Sequence, residues 1–408
     1  MAAIYPYVIL GGGMVAGYAA KELAALGALK PGRLLIVSSD ESPPYERPPL
    51  SKGVPAGKKD AAKVFINANE FYQNNAIEIR LNTEVETIDP VRGILRTRAQ
   101  EEISFQQLVI ATGGRPRKLD VEGGDLGGVC YLRSLRDSLR IKTLADDAKR
   151  AVVIGGGFIS MEIAAVLTER AVETTLVFPG ERVWSRVFTP EISSFFQDYY
   201  RKKGVSLIGG AKAARFEGKD RVQEVVLDSG KRLPADLVVA GIGIEPETRA
   251  AEGTTIAVDN GIVVNEFLET SMPGIFAAGD VANYYDVLFQ KRRRVEHWDN
   301  AVSQAQHIAR ALAGDRKSFV HVPYFFSDEF DLSYEFWGDA AGPAEVVYRG
   351  RVEAGSFSAW WLKDDCVAGA FVLNRPDEER DLAPKWIESR KQIGPDRLRD
   401  ESRALAEP

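Results

Sequence analysis

Two short glycine-rich stretches carry most of the chemistry that can be read from this chain. In the first, Gly11, Gly13 and Ala16 fill the three positions of a G-x-G-x-x-G/A pattern. The first glycine turns the chain tightly, the second lets a pyrophosphate approach the backbone, and the third position lets the next helix lie close to its strand. In the second stretch, Gly155 and Gly157 repeat the pattern with Ser160 in third place, so helix–strand packing is expected to be slightly looser there. Free N–H groups at the helix start after such a turn bind phosphate. Two of these turns point to two dinucleotide sites rather than one site and a decayed duplicate. Between them, Ser42 to Gly53 reads Ser-Pro-Pro-Tyr-Glu-Arg-Pro-Pro-Leu-Ser-Lys-Gly. Its prolines fix a loop that carries Arg47 and Lys52, either as charges held over a ligand or as solvated charges on a rigid surface loop. Glu162 falls in the first turn of the second helix, where it can touch the ligand or the facing domain.

The elements that position these residues follow from short apolar runs. Tyr7 to Leu10 reads as a buried strand and Met14 to about Leu26 as the helix after it. The next strand is Arg33 to Ser38, and Asp40 after it can accept a ribose hydroxyl. Gln107 to Ala111 leads into Thr112-Gly113, again a strand ending in glycine. Gly123 to Gly128 reads as a link to the next domain. Ala151 to Ile154 and Glu173 to Phe178 repeat the strand pair, with Glu181 and Arg182 side by side at the end. An acid there favours NADH and an arginine NADPH, so both stay open. Thr189 to Lys203 reads as a helix with a threonine cap and proline first. Gly241 and Gly243 follow the strand at Leu237 and would let a nicotinamide lie close to the backbone. Ile275 to Ala278 runs into Gly279-Asp280, an aspartate placed to accept sugar hydroxyls or to cap a helix. Asp299 to Ala313 reads as a helix capped by Asp299. Beyond Asp315 come short aromatic-rich strands, a helix over 377–391 and a charged tail, expected to be loose after Ile393.

The 408 residues are 45% hydrophobic and 27% charged, which suits two or three globular domains. A net charge of −6 argues against general nucleic-acid or membrane-surface binding, and no apolar run is long enough to cross a bilayer. The first strand begins by about Ile4, so no signal or transit peptide is expected. Two distant cysteines, Cys130 and Cys366, form no C-x-x-C; this suggests a cytoplasmic location and no local dithiol relay. Lys291-Arg292-Arg293-Arg294 reads either as a solvated loop or as a docking patch for an anionic partner.

Several longer matches are specific. They are Pro44 to Gly53, Ala111-Thr112-Gly113, Ala278-Gly279-Asp280-Val281-Ala282, Arg294-Val295-Glu296-His297-Trp298-Asp299, Pro323-Tyr324-Phe325-Phe326-Ser327 and Phe330-Asp331-Leu332-Ser333. Together they resemble the two-dinucleotide flavoprotein reductases that carry FAD and NAD(P)H. The nearest likeness is to monodehydroascorbate reductases, with oxygenase-type ferredoxin reductases and apoptosis-inducing factor as cousins. The resemblance implies an α/β, glutathione-reductase-like fold with two Rossmann-like domains and a small α+β C-terminal domain. FAD would lie on 1–115 and 245–320, NAD(P)H on 116–244, and the last domain would span 321–408.

It further implies that Gly11, Gly13, Ala16, Gly17, Asp40, Arg47, Val85, Thr112, Gly113, Arg133, Gly279, Asp280, Glu296 and Phe326 contact FAD. His297 and Trp298 line the pyrimidine side of the flavin. The nicotinamide nucleotide would meet Gly155, Gly157, Ile159, Glu162, Glu181, Gly241 and Gly243. Lys52 is expected near flavin N5, with Glu162 beside it, as the catalytic pair. The implied partner is a small radical acceptor or a small iron–sulfur protein, and the implied assembly a monomer or homodimer, with no metal site. An NADH-sensing flavoprotein that switches partner is the reading of a different class. The sequence departs from plant monodehydroascorbate reductases at Val302 and Phe326, where those enzymes have an arginine and a tyrosine that contact the radical.

Overall fold

In the computed structural model, which describes residues 4–185 and 187–406, the chain divides into two units. The first comprises the chain up to Arg47, Ala62–Arg115 and Ile244–His321. Its main sheet runs Glu78–Arg80, Leu34–Val37, Ile4–Leu10, Glu102–Ile110, Ile94–Thr97, Val85–Asp89, with Ile275–Ala277 also paired to Glu102–Ile110. Register decides where the site lies. Leu10 is opposite both Val37 and Ile110, and Ala277 is opposite Ile110, all in parallel pairs. The carboxyl ends of four strands therefore align, and the residues after them (Gly11, Ser38, Ala111 and Ala278) share one sheet edge, where open α/β sheets bind ligands. Val8, Ile9, Leu34 to Val37 and Leu108 to Ile110 are almost wholly buried, as strands covered on both faces must be. Each such side chain contributes roughly 1.5–3 kcal/mol.

The helices Met14–Ala25 and Trp298–Leu312 pack together, and buried alanines on both (Ala16, Ala19, Ala20; Ala305, Ala309) permit the close approach. The second helix has His297, not Asp299, at its N-cap position, with no side-chain capping bond. Asp299 is instead drawn to the imidazole of His321.

The second unit contains Pro48–Ala61, Pro116–Gly243 and the chain from Val322 on. A parallel sheet runs Ser206–Gly209, Glu173–Phe178, Arg150–Ile154, Leu237–Ala240, Val129–Tyr131. The helix Phe158–Glu169 follows its third strand. Helix Pro190–Lys202 has the expected Thr189 cap, which accepts from the Ile192 N–H, and Pro190 first. An antiparallel sheet runs Tyr324–Glu329, Leu332–Gly338, Cys366–Leu373, Ser356–Lys363, Glu345–Arg351. The last of these carries two arginines and a glutamate around a run of only three apolar residues, Val346 to Tyr348.

Aromatic rings join the two sheets in one core. Trp184 and Phe196 meet edge to face at 4.7 Å, and Phe188 and Phe371 at 5.2 Å. Gly123 to Gly128 is not a free link: Gly127 bridges to Arg221 and Glu122 to Arg215 within this unit. The tail is not loose either. Leu398 and Leu405 are buried, and the Arg349 guanidinium donates to the carbonyls of Leu398, Asp400 and Arg403 at 3.1, 2.6 and 2.7 Å. A buried cation satisfied by backbone acceptors outweighs the composition of the segment.

Candidate active site

In the first unit, Gly11 has φ +121°, and a Cβ there would fall 2.2 Å from the Ala111 carbonyl oxygen; only glycine fits. Gly13 starts the helix with extended backbone, no side-chain cap and nothing within 4 Å of where its Cβ would sit. Gly17 is used differently: it makes room for Ile66 and Pro44, and its carbonyl accepts from Asn67 at 2.9 Å. Its bareness lets the proline loop lie on the helix. Thr112 donates to the Glu247 carbonyl at 2.6 Å, and Gly113 has φ +67°. Gly279 has φ +76° and donates to Gln304 Oε1 at 2.7 Å; Asp280 follows in the same turn. Gln304 is wholly buried, yet its Nε2 makes no hydrogen bond among the described residues. Open helix-start N–H groups and an orphaned buried donor at one sheet edge fit a bound dinucleotide. Val85 opens the Val85–Asp89 strand, half-buried.

The loop is braced by expected site residues together with Tyr18, Ser42, Tyr45 and Glu46, to which the sequence assigned no role. Asp40 accepts from the Tyr45 hydroxyl at 2.7 Å and the Ser42 N–H at 3.1 Å, and the Arg47 guanidinium lies 5.2 Å from the Tyr45 ring. Glu46 accepts from the Tyr18 hydroxyl at 2.5 Å and the Trp298 indole N–H at 2.6 Å. Burial and that carboxylate raise the Tyr18 phenol far above its usual value. The carboxylate ties Glu-Arg-Pro to the starts of both helices, and Trp298 is thereby fixed next to His297.

Desolvation pushes the His297 imidazole down to about 4, so it is neutral at physiological pH. The unfolded chain takes up this proton below about 6.5 while the folded protein resists until about 4. Stability is therefore present above pH ~6.5 and is lost as pH falls toward ~4. His297→Gln should flatten that slope in pH-dependent urea unfolding; parallel slopes would show that the ring is solvated.

The cluster Lys291 to Arg294 forms a strand over Lys291–Arg293. Arg292 donates to the Val264 and Asn283 carbonyls at 2.7 Å each. Arg293 pairs with buried Asp286 at 3.2 Å, and Arg294 with Glu296 at 2.5 Å. The arginines are thus held within this unit rather than in a solvated loop, while Arg292 stays exposed.

In the second unit, Gly155 has φ +122° and its Cβ would lie 2.3 Å from the Gly241 carbonyl oxygen. Ser160 donates to that carbonyl at 3.0 Å and is buried. The third position is thus closed by a hydrogen bond, not loosened, and Gly241 is bare partly to admit the serine: its Cβ would fall 2.4 Å from Ser160 Oγ. Gly157 repeats the open geometry of Gly13, with no cap and nothing within 4 Å. Ile159 beside it is 42% exposed, an apolar side chain open at the helix start. Gly243 has φ +96°, and its carbonyl accepts from the Arg117 N–H. Glu181 is exposed, 3.9 Å from Arg182. Arg133 lies just before the Ser134 cap of helix Leu135–Asp147, its N–H donating to Asp137.

Lys52 and Glu162 meet here. Lys52 Nζ lies 3.3 Å from Glu162 Oε1, 3.9 Å from Asp328 Oδ2 and 4.8 Å from the centre of the Phe326 ring. Glu162, 7% exposed, also accepts from the hydroxyls of Ser51 and Ser327. Three segments converge on one carboxylate, which no single stretch of sequence displays. The chain thus carries two nucleotide-type sheet edges and a part-buried ammonium–carboxylate pair.

A model of the pyridine nucleotide-disulphide oxidoreductase family matches residues 5–305, and a reductase C-terminal model matches 324–407. The chain belongs to that oxidoreductase family and uses FAD and NAD(P)H. It is 41% identical over 406 residues to monodehydroascorbate reductase 4, peroxisomal, of Arabidopsis thaliana, covering 94% of this chain and 82% of that protein. It is 35% identical to putidaredoxin reductase of Pseudomonas putida over 408 residues, 98% of this chain and 96% of that one. A covalent putidaredoxin reductase–putidaredoxin complex superposes with TM-score 0.94 at 34% identity, covering 98% of this chain and 96% of the other. Among the described residues no helix is long and apolar enough to cross a membrane.

Proposed function

We propose that the chain oxidises NAD(P)H through FAD and passes electrons singly to an external acceptor, a reading supported by its likeness to proteins named for reducing monodehydroascorbate. The observation that carries this is the Lys52–Glu162 pair, braced by two serines, in a chain whose two cysteines are both free. FAD, when bound, accepts two electrons from the nicotinamide and can release them one at a time. In this reading the Gly11, Thr112 and Gly279 turns, with Asp40, Arg47 and Asp280, hold FAD on 1–115 and 245–320. The Gly155 and Gly241 turns, with Ile159, Glu181 and Gly243, hold the nicotinamide nucleotide on 116–244, and 321–408 forms the C-terminal domain. Lys52 supplies positive charge where negative charge builds up. Glu162 aims the ammonium, and Ser51 and Ser327 fix Glu162. The cytoplasm, where both thiols stay reduced, is the proposed location.

A reductase for a [2Fe–2S] ferredoxin is the second reading. It is favoured by Val302 and Phe326: apolar side chains bind a small anion poorly. Turnover of NADH and NADPH with enzymatically generated ascorbyl radical, set beside a panel of ferredoxins, separates the two. We expect saturable radical turnover that changes little with salt. Faster ferredoxin turnover that drops steeply with salt would install the second reading. Slow reoxidation by every acceptor would leave the NADH-sensing role.

A further inference from the structure

Side chains two apart on a strand share a face. On the Tyr324–Glu329 strand, Ser327 uses that face to donate to Glu162, and Glu329 follows it. Glu329 is 1% exposed. Its Oε1 receives a long 3.5 Å bond from Tyr334, and its Oε2 makes no hydrogen bond among the described residues. The groups facing it are Glu162 from helix Phe158–Glu169, Lys52 from the proline loop, Tyr200 from helix Pro190–Lys202 and Tyr334 from the next strand; Tyr199 also feels its charge. One ammonium thus stands near two buried carboxyl groups, with the exposed Asp328 as a third at 3.9 Å. Tyr200 is already committed to the Met161 carbonyl at 3.0 Å.

We infer that Glu329 is a positioning residue for the transfer site: held neutral, it leaves Glu162 as the one buried carboxylate opposite Lys52, and on ionising it offsets the lysine's charge and slows flavin reduction. This rests on the reading of Lys52 and Glu162 as the place where nicotinamide reduces flavin. The physical reason is that one ammonium can balance one carboxylate; a second charge in the same dry pocket faces both the loss of solvent and repulsion from Glu162. Those two causes push the Glu329 carboxyl up to about 8. The sign is fixed by linkage: as pH rises above about 4.5 the unfolded chain loses this proton first, so stability falls until about pH 8 and then levels off.

The test uses wild type and Glu329→Gln. In the FAD-loaded protein, the melting temperature of the variant should exceed that of wild type by an amount that grows by several degrees between about pH 5 and 8. Wild-type protein alone should lose a protonated-carboxyl infrared band across about pH 8. In FAD-loaded protein, the single-turnover rate of reduction by NADH should fall at least threefold in wild type between about pH 7 and 9, and stay flat in Glu329→Gln. Parallel melting curves together with no infrared change would overturn the neutral carboxyl. A titrating Glu329 with parallel rate profiles would overturn its positioning role. If Lys52→Ala also left reduction untouched, the failure would belong to the transfer-site reading instead.

Discussion

Lys52→Ala will slow reduction of the bound flavin by NADH about 10²–10³-fold, the size expected for deleting one preorganised electrostatic group, while FAD retention changes by less than about threefold. The argument is geometric. Lys52 lies 3.3 Å from Glu162 with its side chain only 18% exposed, so its charge acts in a medium of low dielectric. Breaking a fully buried ion pair costs about 3–5 kcal/mol. Here the cost will be smaller, because Ser51 and Ser327 still satisfy both oxygens of Glu162. The variant should therefore fold, and stopped-flow bleaching can be read separately from FAD release. Equal losses of both would make Lys52 a structural residue.

The second large effect separates two glycines two residues apart. Gly155→Ala places a methyl 2.3 Å from a backbone oxygen at φ +122°; neither the clash nor the strain can be relieved by moving a side chain. A loss of about 3 kcal/mol or more is expected, seen as a melting temperature lowered by roughly 6–12 °C. Gly157→Ala meets nothing within 4 Å and should melt within a degree or two of wild type. It removes the close approach that a pyrophosphate needs, so KM for NAD(P)H should rise about tenfold or more. If Gly157→Ala left KM unchanged, the second turn would not be the nucleotide site. The reverse pattern of stabilities would mean that the turn is misassigned.

What the sequence displayed and what it hid follow from distance along the chain. The glycine turns and their strands were legible because their chemistry is local: a tight turn, a bare backbone and a helix start sit within six residues. Thr189 and Pro190 were legible for the same reason. Ser51 and Ser327 were not, since their partner Glu162 lies 111 and 165 residues away. Two polar residues on one face of the aromatic Tyr324–Glu329 strand were the available signal. Glu46 was hidden beside Arg47, because a carboxylate between Tyr18 and Trp298 is defined by two helices that meet only in the fold. The contacts of the arginine run were hidden because charge composition does not say whether a guanidinium meets water, a carboxylate or a carbonyl. Asp299 looked like a cap, but His321 took its carboxylate.

The contacts of Arg349 bear on how this chain can be handled. Cutting it after Ile393 would strip three acceptors from a guanidinium that is 5% exposed and empty the seats of Leu398 and Leu405. What remains is a cation beside Glu379 at the mouth of a newly opened hole. Residues 394–406 act as a plug, so affinity handles and fusion partners belong at the other end of the polypeptide.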